Sequence, residues 1–344
     1  MGIPGLLPML KEHMVYRSIG ELGPCVIGVD GYSWLYKAAS NYGVDLYYDP
    51  EDAKVVRKYV QFCVRKCRAL MAHGIRLYFV FDGEEHPMKE ETAKKRREKK
   101  EEVKRQIEAL LSRGKKAEAK ALMNRCVKVD RKMVENLVTE LEELKIPHMV
   151  APYEADPQLT YLEREGYVDY ITTEDSDLIV YGARRVLFKL NELQGAELFD
   201  REKIMSSGGR DVRCLLEKTK EIAALSGCDY TEGIRKIGLI TAHKLMLNHK
   251  SAEECINYLS KKDSGILGHL DKCTKVVCMF YFHVVQDPVT KERRHLTSLE
   301  SSQEESGWSA LEDISFVGSL TGTENEENAL GRGELLKEIG VPLV

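Results

Sequence analysis

Runs of apolar residues along this chain repeatedly stop at an acid. Cys25-Val26-Ile27-Gly28-Val29 ends at Asp30, and Leu77-Tyr78-Phe79-Val80-Phe81 ends at Asp82. His148-Met149-Val150-Ala151 is followed by Glu154 and Asp156, Tyr170-Ile171-Thr172-Thr173 by Asp175 and Asp177, and Ala223-Ala224-Leu225 by Asp229. Short β-rich runs separated by segments of helical periodicity predict alternating strands and helices. Strands are expected at 25–30, 76–82, 147–151, 168–173 and 185–190, with helices near 33–39, 52–73, 88–105, 115–124 and 130–144. Asp156 reads as the N-cap of a further helix, with Pro157 in its first position and an end near Glu165. Beyond Arg210 the pattern turns helical, with few strand signals before residue 280. Trp34 and the apolar run 275–285 read as core. The pattern predicts an α/β chain: a mostly parallel central sheet flanked by helices, then a helical half.

That architecture changes the meaning of the acids. In an open α/β sheet, chemistry gathers outside the carboxyl ends of the strands. Acids brought together there could not all ionise without cations, so Asp30, Asp82, Glu154, Asp156, Asp175, Asp177 and Asp229 read as a cluster for divalent metal. Mg²⁺ prefers oxygen ligands and is held by a few carboxylates together with substrate phosphate. Two such ions can activate a water and stabilise the leaving oxygen in phosphodiester hydrolysis. A single acid-x-acid pair such as Glu154-Ala155-Asp156 more often caps a helix or faces solvent. A second pair, Asp175-Ser176-Asp177, with Asp30, Asp82 and Asp229 also at the ends of runs, favours metal. No His or Ser arrangement offers a competing nucleophile.

Composition narrows the class. At 344 residues the chain can bury one large core or two modest ones. No secretory apolar segment or membrane-crossing stretch is expected, and Leu6 stands where a myristoylation signal needs Ser or Thr. The nine cysteines suggest a reduced intracellular compartment. Cys63 with Cys67, and Cys273 with Cys278, lack the partners of a zinc set and read as structural thiols. The net charge of −4 conceals an uneven distribution. Lys89, Lys94, Lys95, Arg96, Arg97, Lys99, Lys100, Lys104 and Arg105 crowd one helical segment, whereas 297–331 has no Lys or Arg and reads as a peripheral acidic tail. Such a charge run is by default a solvated helix face; its place directly after Asp82-Gly83 favours an arch over the acids. A glycine-rich turn, Gly227 to Gly238, separates two helices, and free N–H groups there can hold a DNA phosphate without reading sequence.

Six motifs occur in order: Met1-Gly2-Ile3-Pro4-Gly5-Leu6-Leu7, Val29-Asp30-Gly31-Tyr32-Ser33-Trp34-Leu35, Val80-Phe81-Asp82-Gly83, Ala151-Pro152-Tyr153-Glu154-Ala155-Asp156, Glu174-Asp175-Ser176-Asp177-Leu178 and Leu225-Ser226-Gly227-Cys228-Asp229-Tyr230. Together, across about residues 1–290, they resemble the flap endonuclease/XPG superfamily of structure-specific 5′ nucleases, and most of all its eukaryotic exonuclease-one branch. The resemblance implies a PIN-like 5′ nuclease fold with a helical arch and a helix–two-turn–helix DNA-binding element. It implies an N-terminal nuclease region over 1–105, with the arch at about 88–125, and an internal nuclease region over 126–210. A helical DNA-binding region over 211–296 and the tail over 297–344 would follow.

The resemblance also implies roles. Asp30, Asp82, Glu154, Asp156, Asp175, Asp177 and Asp229 match the metal-binding acids, with Asp177 essential for catalysis. Lys89 and Arg96 match arch cations at the scissile phosphate, with Lys100 a further DNA contact. Tyr32 matches a residue beside the displaced terminal nucleotide, and Gly2 one close to the active site. Gly238 matches the hairpin's phosphate contact, and Ser226, Gly233 and Ile237 match a monovalent-cation site, usually K⁺. Tyr36 and Thr241 depart from the family pattern, at positions expected to be His and basic respectively.

The implied activity is that of a nuclear 5′-to-3′ double-stranded DNA exonuclease with 5′-flap cleavage, using two Mg²⁺ ions with Mn²⁺ as a substitute. It would act as a monomer, off membranes, on duplexes with 5′ ends, nicks, gaps or flaps, in mismatch repair, end resection and recombination with mismatch-repair proteins as partners. The rival readings are a dedicated flap endonuclease, a metal phosphatase, and a DNA-junction-binding protein with a spent active site. A phosphatase would need neither basic arch nor hairpin, and a spent site would not keep every acid.

Overall fold

The computed structural model describes residues 2–299 and 314–321. Seven strands form one sheet: β1 (Val15–Ser18), β2 (Val26–Asp30), β3 (Arg76–Phe81), β4 (His148–Val150), β5 (Tyr170–Thr172), β6 (Arg185–Asn191) and β7 (Gly195–Asp200). Their spatial order is β1-β7-β6-β5-β2-β3-β4. Neighbours from β6 through β4 run parallel, while β7 lies antiparallel to both β6 and β1. The expected mostly parallel sheet is therefore present. Every residue of β2 is buried, as befits a parallel strand covered on both faces.

The edge strand β1, its neighbour β7 and a short helix at Gly43–Tyr48 were not predicted. Val15 and Tyr16 are half-exposed on an edge, so β1 lacks the buried-face alternation that marks a strand.

The principal helices are α1 (Gly31–Ser40), α2 (Ala53–Met71), α3 (Glu90–Ser112), α4 (Lys116–Arg125), α5 (Arg131–Glu143), α6 (Ala155–Arg164), α7 (Asp177–Tyr181), α8 (Thr219–Ser226), α9 (Leu239–Asn248) and α10 (Leu270–Phe282). In α2 the buried Val55, Tyr59, Val60, Cys63, Val64, Cys67 and Leu70 follow helical spacing and form one apolar stripe. That stripe joins α1, α5 and one sheet face in a core containing Ile27, Trp34, Phe79 and Leu137. The other face shares a core with the helical half, through Leu159, Ile171, Val186, Ile222, Leu225 and Phe280. Trp34 and the run around Val276–Phe280 are buried as expected, and the cysteines are free thiols. Among the described residues no helix is long and apolar enough to cross a membrane.

Two local expectations are corrected. Helix α6 begins at Ala155 with Glu154 at the N-cap position, so Asp156 is not the cap and Pro157 is third in the helix. Pro is tolerated throughout the first turn, where N–H groups have no intrahelical partner, so its position did not fix the start. The expected peripheral tail also fails where it is described: Val317 is fully buried, and Ile314 and Phe316 pack on the same core. The apolar triplet within an acidic stretch supplies the burial that overall composition hides.

After β3 the chain doubles back against the segment following β4. The Gly83 N–H donates to the Tyr153 carbonyl at 2.6 Å and that of Glu84 to Pro152 at 3.2 Å. A Cβ on Gly83 would overlap the Ala151 carbonyl oxygen, a backbone atom that cannot swing away. Gly83→Ala is therefore expected to destabilise the fold by about 1–3 kcal/mol. A urea midpoint equal to the parent's would show that this approach is not tight.

Candidate active site

Four adjacent parallel strands, β5, β2, β3 and β4, deliver their carboxyl ends to one edge of the sheet. Asp30 is the last residue of β2 and caps α1: its Oδ1 accepts from Ser33 N–H at 3.0 Å and its Oδ2 from the Thr173 hydroxyl at 2.9 Å. Asp82 follows β3 and accepts from Ala155 N–H at 2.8 Å, which ties it to the start of α6. Glu154 and Asp156 lie on either side of that contact. Asp175 and Asp177 follow β5, with Asp175 Oδ1 accepting from Asp177 N–H at 3.1 Å. Asp229 arrives from the turn after α8, where its carbonyl accepts from the Thr92 hydroxyl at 2.7 Å. Asp30, Asp82, Glu154, Asp156, Asp175 and Asp229 line a cleft of ≈ 810 Å³ beneath the first turns of α3.

The acids fall into two electrostatic settings. Glu154 and Asp229 are matched by cations of α3 and the turn before it. Lys89 Nζ lies 2.5 Å from Glu154 Oε2 and 3.2 Å from Asp229 Oδ2, and Arg96 Nη2 lies 2.6 Å from Asp229 Oδ1. Tyr230 also donates to Glu154 Oε1 at 2.8 Å. Burial alone would raise Glu154, but Lys89 and the nearby His283 hold it well below the usual carboxylate range. Conversely, burial works against the Lys89 charge, yet Glu154 and Asp229 raise it above the ordinary lysine value.

Asp156, Asp175 and Asp177 offer oxygens within 4.8 Å of one another, and among the described residues no basic side chain is ion-paired with them, Lys89 pairing instead with Glu154 and Asp229. Burial first, and then mutual repulsion, raise Asp156 and Asp177 well above the ordinary value; Asp175 is raised chiefly by burial. Burial and its neighbours push Asp30 up to about 7 and Asp82 up to about 6. Asp177 Oδ1 is buried without a hydrogen-bond partner. Hard oxygen donors, crowded and unneutralised, with one orphaned buried carboxylate oxygen, fit a divalent cation.

The other expected residues are placed as follows. Gly2 sits against Asp175 and Ser176, where a side chain would overlap both, and Ile3 N–H donates to Ser176 Oγ at 2.8 Å. Tyr32, Tyr36 and Lys100 line the cleft. Tyr32 is half-buried, edge-on to Phe81 at 6.4 Å. In the hairpin, Gly233 packs on the backbone of Leu225 to Gly227, so it neighbours Ser226. The Ser226 hydroxyl donates to Ile222 O at 2.8 Å, and Ile237 N–H donates to Ile234 O at 2.9 Å. Gly238 is exposed at the N-cap of α9, and a Cβ there would meet no protein atom within 4 Å. Thr241 is exposed one turn further on.

Sequence reasoning missed the shell behind Glu154. His86, Tyr153, Tyr230 and His283 pack there, with the His86 ring 4.9 Å from Tyr153 and 5.2 Å from His283. His86 Nδ1 accepts from Met88 N–H at 3.2 Å, which leaves its proton on Nε2. Burial and His283 push His86 down to about 4. Tyr153 and Tyr230 stood beside acids in the motifs and could have been suspected. His86 and His283 carry no spacing signal.

The chain is similar to known nucleases. Residues 1–103 match the XPG N-terminal domain and 145–229 the XPG I-region. Exodeoxyribonuclease 1 of Schizosaccharomyces pombe is 36% identical over 280 residues, 81% of this chain and 47% of its own length. Exonuclease 1 of Arabidopsis thaliana is 33% identical over 326 residues, 92% of this chain and 42% of its own. The chain thus spans under half the length of these relatives. Among solved structures, the catalytic core of Rad2 in complex with DNA substrate aligns with a TM-score of 0.56 at 22% identity, covering 80% of each chain. Human GEN1 in complex with Holliday junction DNA aligns with a TM-score of 0.55 at 19% identity, covering 81% of this chain and 66% of that one. Both share the fold.

The raised acids imply a stability profile. Between ordinary carboxylate values near 4 and the raised folded values, the folded metal-free protein holds protons that the unfolded chain has released. Its stability is therefore greatest on the acid side of that window and falls as pH rises through the folded values. Glu154, depressed when folded, contributes a constant amount above pH 5, and His86 titrates below the range used. In chelator, the melting temperature should fall from pH 6.5 to pH 8. Mg²⁺ should raise it, more at pH 8 than at 6.5, and Asp177→Asn should blunt that response. A melting temperature indifferent to both pH and Mg²⁺ would rule out the cluster as a metal site.

Proposed function

The chain belongs to the XPG superfamily, on the side of its exonuclease 1 relatives, and from that premise we propose that it is a Mg²⁺-dependent 5′-to-3′ double-stranded DNA exonuclease that also cuts 5′ flaps. The observation that carries this reading is the acid edge roofed by a basic helix: Asp156, Asp175 and Asp177 crowd together without cations while Lys89 and Arg96 face them across the cleft. The two-ion set, with Mn²⁺ able to substitute, belongs to this proposal. When bound, divalent ions supply water activation and stabilisation of the leaving oxygen. Asp156, Asp175 and Asp177 are the principal ligands, with Asp30, Asp82, Glu154 and Asp229 completing the cluster.

The chain's own residues do the remaining work. Lys89 and Arg96, held over the cleft by Glu154 and Asp229, meet charge developing on the scissile phosphate. Lys100, one turn further along α3, draws the strand under the arch. Tyr32 offers a half-buried aromatic face to the terminal nucleotide, and Gly2 leaves the room that a side chain would fill beside Asp175. Water is the nucleophile, so no covalent intermediate forms. The hairpin grips duplex phosphate at Gly238, with K⁺ held by Ser226, Gly233 and Ile237. The substrate is duplex DNA with a 5′ end, nick, gap or flap. Action as a monomer in nuclear mismatch repair, with mismatch-repair proteins as partners, is part of the same proposal and rests on no feature of the site.

Time-resolved product sizes on 5′-recessed and 5′-flap duplexes test the reading. Mononucleotides and short oligomers should appear from the 5′ end, in Mg²⁺ and not in chelator. Lys89→Ala and Arg96→Ala should each slow single-turnover cutting on the order of 10²-fold while changing duplex affinity little. Equal losses in rate and binding would demote both cations to ordinary phosphate contacts.

Duplex grip is tested at Gly238, whose open surroundings let a side chain enter without disturbing the fold. Gly238→Val should weaken binding to duplexes of any sequence. Parent affinity itself should fall with salt at a slope of about −0.9 per phosphate neutralised. Unchanged binding by the variant would make the hairpin a structural connector.

A further inference from the structure

The segment 314–321 returns to the base of the arch, far from the acidic character of its neighbours in sequence. Its short 3₁₀ turn, Ser315–Val317, packs against α10 and against the turn Pro87–Lys89 that leads into α3. Val317 is fully buried. Gly318 lies so close to Tyr153 that a Cβ on it would be 2.6 Å from the ring. The Ser319 N–H donates to the Tyr153 hydroxyl at 3.0 Å, and the Ser319 carbonyl accepts from Arg293 at 3.3 Å. The Val317 carbonyl faces the His86 ring, whose Nε2 makes no well-formed hydrogen bond.

Two of the residues this segment touches, Tyr153 and His86, are one step from the proposed chemistry. Tyr153 precedes Glu154 in the chain, and its carbonyl accepts from Gly83, the residue after Asp82. His86 caps the turn that carries Lys89: its ring accepts from Met88 N–H, and its carbonyl accepts from Lys89 N–H at 2.8 Å. The Tyr153 and His86 rings are in edge contact. A displacement of the segment therefore reaches Glu154 and Lys89 together, the two partners of the 2.5 Å ion pair at the root of the arch.

We propose that residues 314–321 are a cis-acting strap, and that Val317, Gly318 and Ser319 are positioning residues which, through Tyr153 and His86, set Glu154 and Lys89 for cleavage. The inference rests on the nuclease reading above. It assigns the strap an effect on rate at saturating DNA rather than on duplex grip, because the hairpin at Gly238 lies outside its contacts. Small misplacements of reacting groups are costly even when their origin is remote.

The test uses the whole chain. Val317→Asp places a charge in a buried apolar site and should release the strap; Tyr153→Phe removes one hydrogen bond and keeps the ring. Single-turnover cleavage at saturating 5′-recessed duplex should fall about 10-fold or more for Val317→Asp. For Tyr153→Phe the fall should be about 3- to 10-fold. Duplex affinity should stay within about 2-fold, the smaller end of one hydrogen bond's effect. Amide exchange over residues 86–96 should quicken in both variants without DNA or metal present, and Val317→Ile should behave as the parent. Faster exchange at 314–321 with unchanged cleavage, or losses in affinity that match those in rate, would overturn the proposal. If Val317→Asp lost its folded circular-dichroism spectrum, Tyr153→Phe would decide alone. A parent chain that did not cut DNA would instead refute the nuclease reading.

Discussion

Repulsion among carboxylates at one sheet edge is the constraint around which the rest of this molecule is arranged. Charges a few ångströms apart and partly removed from water repel strongly, and burying them without partners is costly. Part of that charge is answered from within the chain: Lys89 is shared by Glu154 and Asp229, and Arg96 sits on Asp229. The rest is unanswered. Asp156, Asp175 and Asp177 face one another with raised proton affinity, and among the described residues no basic side chain is ion-paired with them. A protein that keeps such a cluster gives up stability in the metal-free state for an edge whose crowded oxygens suit a divalent cation.

The same pairs explain why the basic helix starts where it does. Lys89, at the N-cap of α3, and Arg96, two turns on, lie on one face of its start, and Thr92 on the same stretch bonds the Asp229 carbonyl. Lys95 pairs with Glu232 in the hairpin turn, and Lys272 of α10 lies 4.0 Å from Glu91. The exposed pairs contribute little stability individually. Their consequence is geometric: the root of the arch is fixed to the turn that also positions Asp229, so the cleft and the proposed duplex grip share one support. The far end of the arch has a small core of its own, with Ile107, Ala119 and Met123 packing near Val44 and Tyr47.

Behind the acids lies an aromatic shell whose polar atoms have limited outlets. Tyr181 and Tyr230 share a short hydroxyl contact, and Tyr230 passes its hydrogen bond to Glu154. His283 sets Nδ1 3.1 Å from the Val284 carbonyl oxygen and Nε2 3.6 Å from Glu154 Oε1. Glu154 is thus oriented from behind by a hydroxyl and a ring, and from the front by Lys89. The segment around Val317 packs on this shell through Tyr153 and His86.

The sequence by itself determined the strand–helix alternation, the strand ends that carry Asp30, Asp82, Asp175 and Asp177, and the basic segment after Asp82. These are local signals, since period and punctuation are written in adjacent residues. It misread the start of α6, because Pro157 fits any position of a first turn. It did not reveal β1, whose exposed edge carries little alternation, or β7, whose buried positions do not alternate, nor the burial of Val317 within an acidic stretch. Only the tertiary structure decided which acids meet. Asp156, Asp175 and Asp177 converge because β4 and β5 flank β2 and β3 with their carboxyl ends on one side, an order that loops of very different length do not disclose. The pairing of Lys89 with both Glu154 and Asp229 joins residues 65 and 140 positions away, and the shell of His86 and His283 joins two lone histidines of no distinctive spacing. Contacts of that range depend on how the packed layers are superposed, and no local pattern encodes them.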